Sequence, residues 1–130
     1  MTSSNASNLT IDCQDFADCK VVKVAGRVDH TTSDQFLEDI GAHANTVNSN
    51  GGMVIELSGL EFITSAGLRA LLLAQRTVHG TGGKLVVSGI RGVVKEVFRI
   101  SKFDALLSVS ESTSEAVGQI SAAAAEAFSG

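Results

Sequence analysis

Leu57-Ser58-Gly59-Leu60-Glu61-Phe62-Ile63-Thr64-Ser65-Ala66-Gly67-Leu68-Arg69 joins the most apolar short run of the chain, Met53-Val54-Ile55-Glu56-Leu57, to its most leucine-rich helical pattern. A continuous apolar run interrupted by one acid is the pattern of a strand buried in a parallel sheet. Beyond the junction, Leu68, Leu71, Leu72 and Gln75 share one side of a helix, and Ala70, Leu73 and Ala74 widen its apolar surface. The stretch therefore reads as strand, turn and helix, with the Ser65 hydroxyl at the helix start. Serine there commonly contributes about 1 kcal/mol as a cap. The same position tolerates an anion, because free N–H groups and the positive end of the helix dipole face it, so phosphorylation is a second reading of the same hydroxyl.

Toward the N-terminus, Leu9 to Cys13 alternates like a half-buried strand, and Cys19 to Ala25 carries Val21, Val22 and Val24 in a second. The short polar link between them predicts an antiparallel pair. Gly26 ends the second strand, and Arg27-Val28-Asp29-His30 forms a loop. Thr32-Ser33-Asp34-Gln35 is a capping-box start for a helix whose apolar face is Phe36, Leu37, Ile40, Ala44 and Val47, stopped by Ser49-Asn50-Gly51-Gly52. If the second and third strands are parallel neighbours, their following loops leave from one rim, which brings Asp29 and Ser65 close.

Toward the C-terminus, His79-Gly80-Thr81-Gly82-Gly83 ends the leucine-rich helix and Lys84 to Ser88 is the next strand. Val93, Val94, Val97, Phe98 and Ile100 mark a third helix, Leu106 to Val109 a last strand, and Ser112-Thr113-Ser114-Glu115 a capping box opening a helix through Ala116, Val117 and Ile120. Alternating strands and helices call for right-handed crossovers and a mainly parallel sheet, an α/β fold.

The 130 residues, 44% of them hydrophobic, fit one domain: a polar, disordered N-terminus over residues 1–8, a folded unit over 9–120 and an Ala/Ser-rich tail over 121–130. No run reaches the roughly 18 apolar residues of a membrane span, and Met1 to Asn8 lacks the regions of a signal peptide, so the expected location is cytoplasmic and no membrane partner is expected. Cys13 and Cys19 are then two reduced thiols. A formal charge of −4 argues against direct nucleic-acid binding. The bases are nonetheless concentrated between Ala66 and Phe103, where Arg91, Lys95 and Arg99 recur every fourth residue on one helix face.

Catalytic readings fail on residues. A nucleophile elbow needs glycine two positions either side of the serine; Gly67 is present but Ile63 stands at the other position, and His30, His43 and His79 carry no signature of a base. A serine hydrolase is thus a remote alternative. Gly80-Thr81-Gly82-Gly83-Lys84-Leu85 has Leu85 where a phosphate loop needs Ser or Thr, and runs from helix to strand rather than the reverse. Asp12, Asp15 and Asp18 lack a following glutamate ligand and read as solvated turn residues, and the cysteines and histidines show no ligand spacing, so neither metal nor cofactor is expected.

The quoted stretch resembles the signature of STAS domains, specifically the bacterial anti-sigma factor antagonists, or anti-anti-sigma factors. The resemblance extends through Gly26-Arg27-Val28-Asp29, Gly83 to Val87 and Val94 to Phe98. It implies a single STAS-like domain over 9–120, with a mixed, mainly parallel sheet of about five strands and helices mainly on one side. It also implies a non-enzymatic partner switch. Unphosphorylated, such a protein binds an anti-sigma factor serine kinase and releases the sigma factor; phosphorylation ends that binding, and a PP2C-type phosphatase resets it. The matching phosphosite is Ser65, with Thr64 the second choice, and the partner surface comprises Asp29, Thr64, Ser65, Gly67, Leu68 and Arg69. A ligand-sensing STAS module without phosphorylation is the alternative within the fold. Thr64 replaces the family's commoner aspartate, Ala66 a frequent serine or threonine, Gly92 a frequent proline and Lys102 a frequent glycine.

Overall fold

Period-two burial builds the first hairpin. In Leu9–Phe16 (β1) Leu9 is buried, Ile11 and Cys13 are half-buried and Thr10, Asp12 and Gln14 face water. A turn of only two residues, with Ala17 at φ 55°, leads into the antiparallel Cys19–Val28 (β2), so β1 extends through the expected polar link. In the computed structural model, residues 8–47, 49–121, 126 and 128 are described; the disordered terminus expected at 1–8 lies outside them except for Asn8, as does most of the 121–130 tail.

β2 does not end at Gly26. It continues to Val28, and Gly26 instead absorbs a shift of register against the neighbouring strand at φ +105°. A Cβ there would lie 1.9 Å from the Asn8 carbonyl oxygen, which accepts from the Arg27 amide. Gly52–Ile63 (β3) is likewise longer than the apolar run Met53 to Leu57, because pairing to β2 carries on through Gly59, Leu60, Phe62 and Ile63. With Lys84–Ser88 (β4) and Ser108–Ser110 (β5) the sheet has, among the described residues, five strands in the order β1-β2-β3-β4-β5, antiparallel only between β1 and β2. This is the mixed, mainly parallel sheet expected.

Neighbouring valines and isoleucines of the central strands divide between two faces. Val22, Ile55 and Val87 face the core formed with Ser33–Ala44 (α1), Ser65–His79 (α2) and Gly92–Ile100 (α3), which contribute Phe36, Ile40, Leu68, Leu71, Val94 and Phe98. Val21, Val54 and Val86 face the other side, where Thr113–Ile120 (α5) buries Ala116 and Val117. Each fully buried Phe or Leu side chain contributes roughly 1.5–3 kcal/mol. Three helices on one face and α5 on the other match the expected architecture. The one-turn Phe103–Leu106 (α4), entered through Lys102 at φ 65°, carries no sequence periodicity and was not expected; it takes Leu106 out of the last strand.

Five positions depart from the expected apolar helix patterns, Val93 at 57% and Ile100 at 72% exposure on α3 among them. α1 ends at Ala44, so Val47 is buried beyond the helix; Leu37 is 43% exposed and Leu73 42%. Cys13 and Cys19 are free thiols, as expected, and burial, aided by Asp18, pushes the Cys19 thiol up to about 11. Among the described residues no helix is long and apolar enough to cross a membrane.

Two glycines should respond to alanine with opposite signs. Gly26→Ala meets a backbone carbonyl at positive φ and should lower the unfolding free energy by roughly 1–3 kcal/mol. Gly41→Ala, inside α1 with nothing within 4 Å of the new Cβ, should raise it by about 0.5–1 kcal/mol. Urea unfolding midpoints read both.

Candidate functional site

Parallel pairing of β2 and β3 sends their two following loops to one rim. Val28 pairs with Ile63, and the Thr64 amide donates to the Val28 carbonyl at 3.0 Å, so Asp29 and the start of α2 leave from adjacent strand ends. Gly67 makes this approach close. A Cβ at that position would lie 2.6 Å from Ile63 Cγ1 and 2.8 Å from Val28 Cγ1, so the first turn of α2 sits directly on the ends of both strands. Leu68 follows into the core at 3% exposure. Gly67 and Leu68 therefore seat the helix from below, while Ser65, Ala66 and Arg69 are exposed and Thr64 half-exposed above it.

The two adjacent hydroxyls have different tasks. Thr64, in extended conformation, is the N-cap of α2: its side chain accepts from the Gly67 amide at 3.3 Å. Ser65 is the first helical residue, and its side chain makes no hydrogen bond among the described residues. The capping role considered for Ser65 thus belongs to Thr64, one residue earlier, because the cap must still be extended to aim its oxygen back at the first turn.

On the neighbouring loop Asp29 acts as a local anchor. Its Oδ1 accepts from the Thr31 amide at 2.9 Å and the Thr31 hydroxyl at 2.6 Å, and Oδ2 lies 3.9 Å from Arg27 Nε. Arg27 in turn stacks on its cross-strand partner Phe62, 4.9 Å from the ring centroid. The Thr31 hydroxyl first, then its amide, hold the Asp29 carboxyl below the usual carboxylate range, with smaller help from Thr32 and His30. Thr32 does not form the expected capping bond. Its buried hydroxyl points backwards, donating to the Arg27 carbonyl at 2.9 Å and accepting from the Asp29 amide at 3.0 Å, because the tight turn puts these groups nearer than the first turn of α1. At Ser112 the expected cap does form, accepting from the Glu115 amide at 3.1 Å, but the Glu115 carboxylate takes the Ser110 hydroxyl instead of reaching back.

An open groove of about 590 Å³ lies beside Ser65. Ser33, Asp34 and Leu37 of α1 form one wall, Ser65, Ala66 and Arg69 of α2 the other, and Phe103 contributes a ring. Sequence periodicity missed Leu37 as an exposed group and the half-buried Phe103 as a groove-lining ring; the available signal for Leu37 was that Phe36, Ile40 and Ala44 already complete the buried stripe of α1 without it. The basic residues Arg91, Lys95 and Arg99 are exposed along α3, with Arg99 paired to Glu96. Among the described residues no group of three or more His, Cys, Asp and Glu side chains could hold a metal ion. A nucleophilic serine needs a base within hydrogen-bond reach, and among the described residues no such bond reaches Ser65.

Comparison with known proteins places this geometry. A family profile described as "Mlab, STAS domain" matches residues 11–108. BtrV of Bordetella bronchiseptica, a protein named as an anti-sigma factor antagonist, is 31% identical over 87 residues, spanning 67% of this chain and 73% of its own. Among solved structures, an anti-sigma factor antagonist from Mycobacterium paratuberculosis superposes with a TM-score of 0.75 at 25% identity, covering 86% of this chain and 93% of that one. The Bacillus cell-fate determinant SpoIIAA in its phosphorylated form shares the fold, with a TM-score of 0.61 at 16% identity over 85% of this chain and 98% of its own. The chain belongs to the STAS-domain family, and its relatives there bear the name anti-sigma factor antagonist.

Two outcomes test the division of roles at the rim. Thr64→Ala should lower the unfolding free energy by about 1 kcal/mol, whereas Ser65→Ala should stay within about 0.5 kcal/mol of the native protein. Thr31→Ala should let the Asp29 carboxyl titrate nearer its ordinary value in a carbon-detected NMR titration. Because the folded carboxyl is depressed, its contribution to stability is present above the ordinary carboxylate range and is lost as pH falls through the folded value. The stability gap between native protein and Thr31→Ala should accordingly narrow in acid.

Proposed function

We propose that the protein is a phosphorylation-controlled anti-sigma factor antagonist, a non-enzymatic module that binds an anti-sigma factor when Ser65 is unmodified. The observation that carries the reading is the Ser65 hydroxyl: exposed on the first residue of α2, beside the groove, and free of the capping task that Thr64 performs. Its modification would remove no bond that the fold uses. The name shared by the relatives supports an anti-sigma factor as the partner.

In this reading the anti-sigma factor is also a serine kinase. The Ser65 Oγ–phosphorus bond forms as the bond from the γ-phosphorus of ATP to its bridging oxygen breaks; ADP leaves, and the hydroxyl proton passes to a base of the kinase. The product adds about −1.5 to −2 charges beside Asp34 and Asp29. A partner surface that had covered the rim must then desolvate that charge or withdraw. A PP2C-type phosphatase reverses the change, water supplying the oxygen that leaves with phosphorus. Asp29, Thr64, Ser65 and Arg69 form the exposed part of the partner surface, with Gly67 and Leu68 fixing its height. Neither metal nor cofactor is assigned to this chain, and no nucleic acid or membrane partner.

Incubation with ATP and the cognate anti-sigma factor kinase should label the native protein and Thr64→Val but not Ser65→Ala; equal labelling of Ser65→Ala would refute the site. Ser65→Asp should bind the kinase at least about tenfold more weakly, about 1.4 kcal/mol, by calorimetry.

A further inference from the structure

Ser65 and Arg69 stand four residues apart on α2, both exposed, and both line the same groove. Residues at this spacing are neighbours on a helix surface, and an acid N-terminal to a base is the favourable order. Among the described residues Arg69 has no ion pair: Asp34, on the opposite wall, lies beyond salt-bridge distance, and no other described group bonds the guanidinium. The basic residue nearest in sequence to the proposed phosphosite is therefore uncommitted, unlike Arg27, held by Phe62 and Asp29, or Arg99, held by Glu96.

We propose that Arg69 is the intramolecular partner of a phosphoryl group on Ser65, so that phosphorylation both places an anion at the groove mouth and withdraws the Arg69 cation from it. This rests on the Ser65 reading and adds its regulation. Before modification, the groove presents the Arg69 guanidinium together with Asp34, Leu37 and Phe103 in its lining, a surface suited to a partner acid flanked by an apolar side chain. After modification, the phosphate oxygens and the guanidinium form a charge-assisted pair along the helix. The groove then exchanges a free cation for a neutralised one plus residual negative charge. A partner carboxylate that had met Arg69 meets phosphate instead, so attraction becomes repulsion at one spot, with no movement of the backbone.

The charged groups facing the phosphate have opposing effects. Arg69 lowers its second pKa, Asp34 across the groove and Asp29 on the neighbouring loop raise it, and His30 beside Asp29 lowers it when protonated. The experiment uses full-length protein carrying phosphoserine placed at position 65 during translation, so no kinase is needed. Phosphorus NMR titration should give a second pKa about half a unit lower with Arg69 than with Arg69→Gln. Arg69→Lys should keep most of the lowering, and about 1 M salt should abolish the difference. Identical titrations of the Arg69 and Arg69→Gln phosphoproteins, both shown folded by amide spectra, would overturn the proposal. Failure of the kinase to label Ser65 is a separate result, refuting the reading on which the proposal rests without altering the titration.

Discussion

The hydrogen bond from the Thr64 amide to the Val28 carbonyl closes the seam on which the whole rim depends. It is the last link of the β2–β3 ladder, and it decides that the Asp29 loop and the α2 start leave the sheet side by side. A parallel pair has this consequence whatever the loops contain. What this sequence adds is Gly67, where any side chain would strike Val28 and Ile63 and lift the helix away from the seam. The height of Ser65 above the sheet is therefore set by the absence of a Cβ two residues later.

From that seam the polar residues of the rim divide into those that hold it and those left available. Thr64 caps α2, Thr32 ties Asp29 back to Arg27, and Thr31 fills one oxygen of the Asp29 carboxylate. Threonine suits such bonds, since its branched Cβ restricts the hydroxyl to few directions. Ser65 and Arg69, like Ser33 and Asp34 across the groove, make no side-chain hydrogen bond or ion pair among the described residues. The division matters because a group that holds the structure cannot be modified without loss of stability, whereas a free one can.

The pattern of residues carried the fold because burial follows period: paired apolar neighbours such as Val21-Val22 and Val54-Ile55 belong to strands covered on both faces, and the stripe of α2 belongs to a helix covered on one. Boundaries were less legible. Gly26 reads as an ending in sequence, yet a glycine also permits the irregular pairing that lets β2 continue, and only the neighbour strand decides between them. The capping residue of α2 was misplaced by one for a similar reason: two hydroxyls in succession satisfy the same pattern, and backbone conformation selects Thr64. Arg69, Leu37 and Phe103 come from three elements, so their convergence on one groove is a tertiary fact that no local pattern holds.

A switch of the proposed kind would need little motion. Ser65 is on the water side of a helix whose opposite side is packed against strand ends, so a phosphoryl group there adds charge without displacing a buried contact. The effective penalty for removing an unpaired ion from water is several kcal/mol, larger than the roughly 1.4 kcal/mol that separates a tenfold change in affinity. In the proposed switch, modification of Ser65 would thus abolish association while leaving the free protein nearly as stable as before. The same comparison explains why a cap and a hydroxyl proposed for modification are better held by separate residues. Were Ser65 the cap, phosphorylation would alter the first turn of α2 together with the surface, and the partner would be discriminating against a partly loosened helix rather than against charge. With Thr64 as the cap, the helix start would be the same in both states of the proposed switch, and the difference a partner met would be electrostatic.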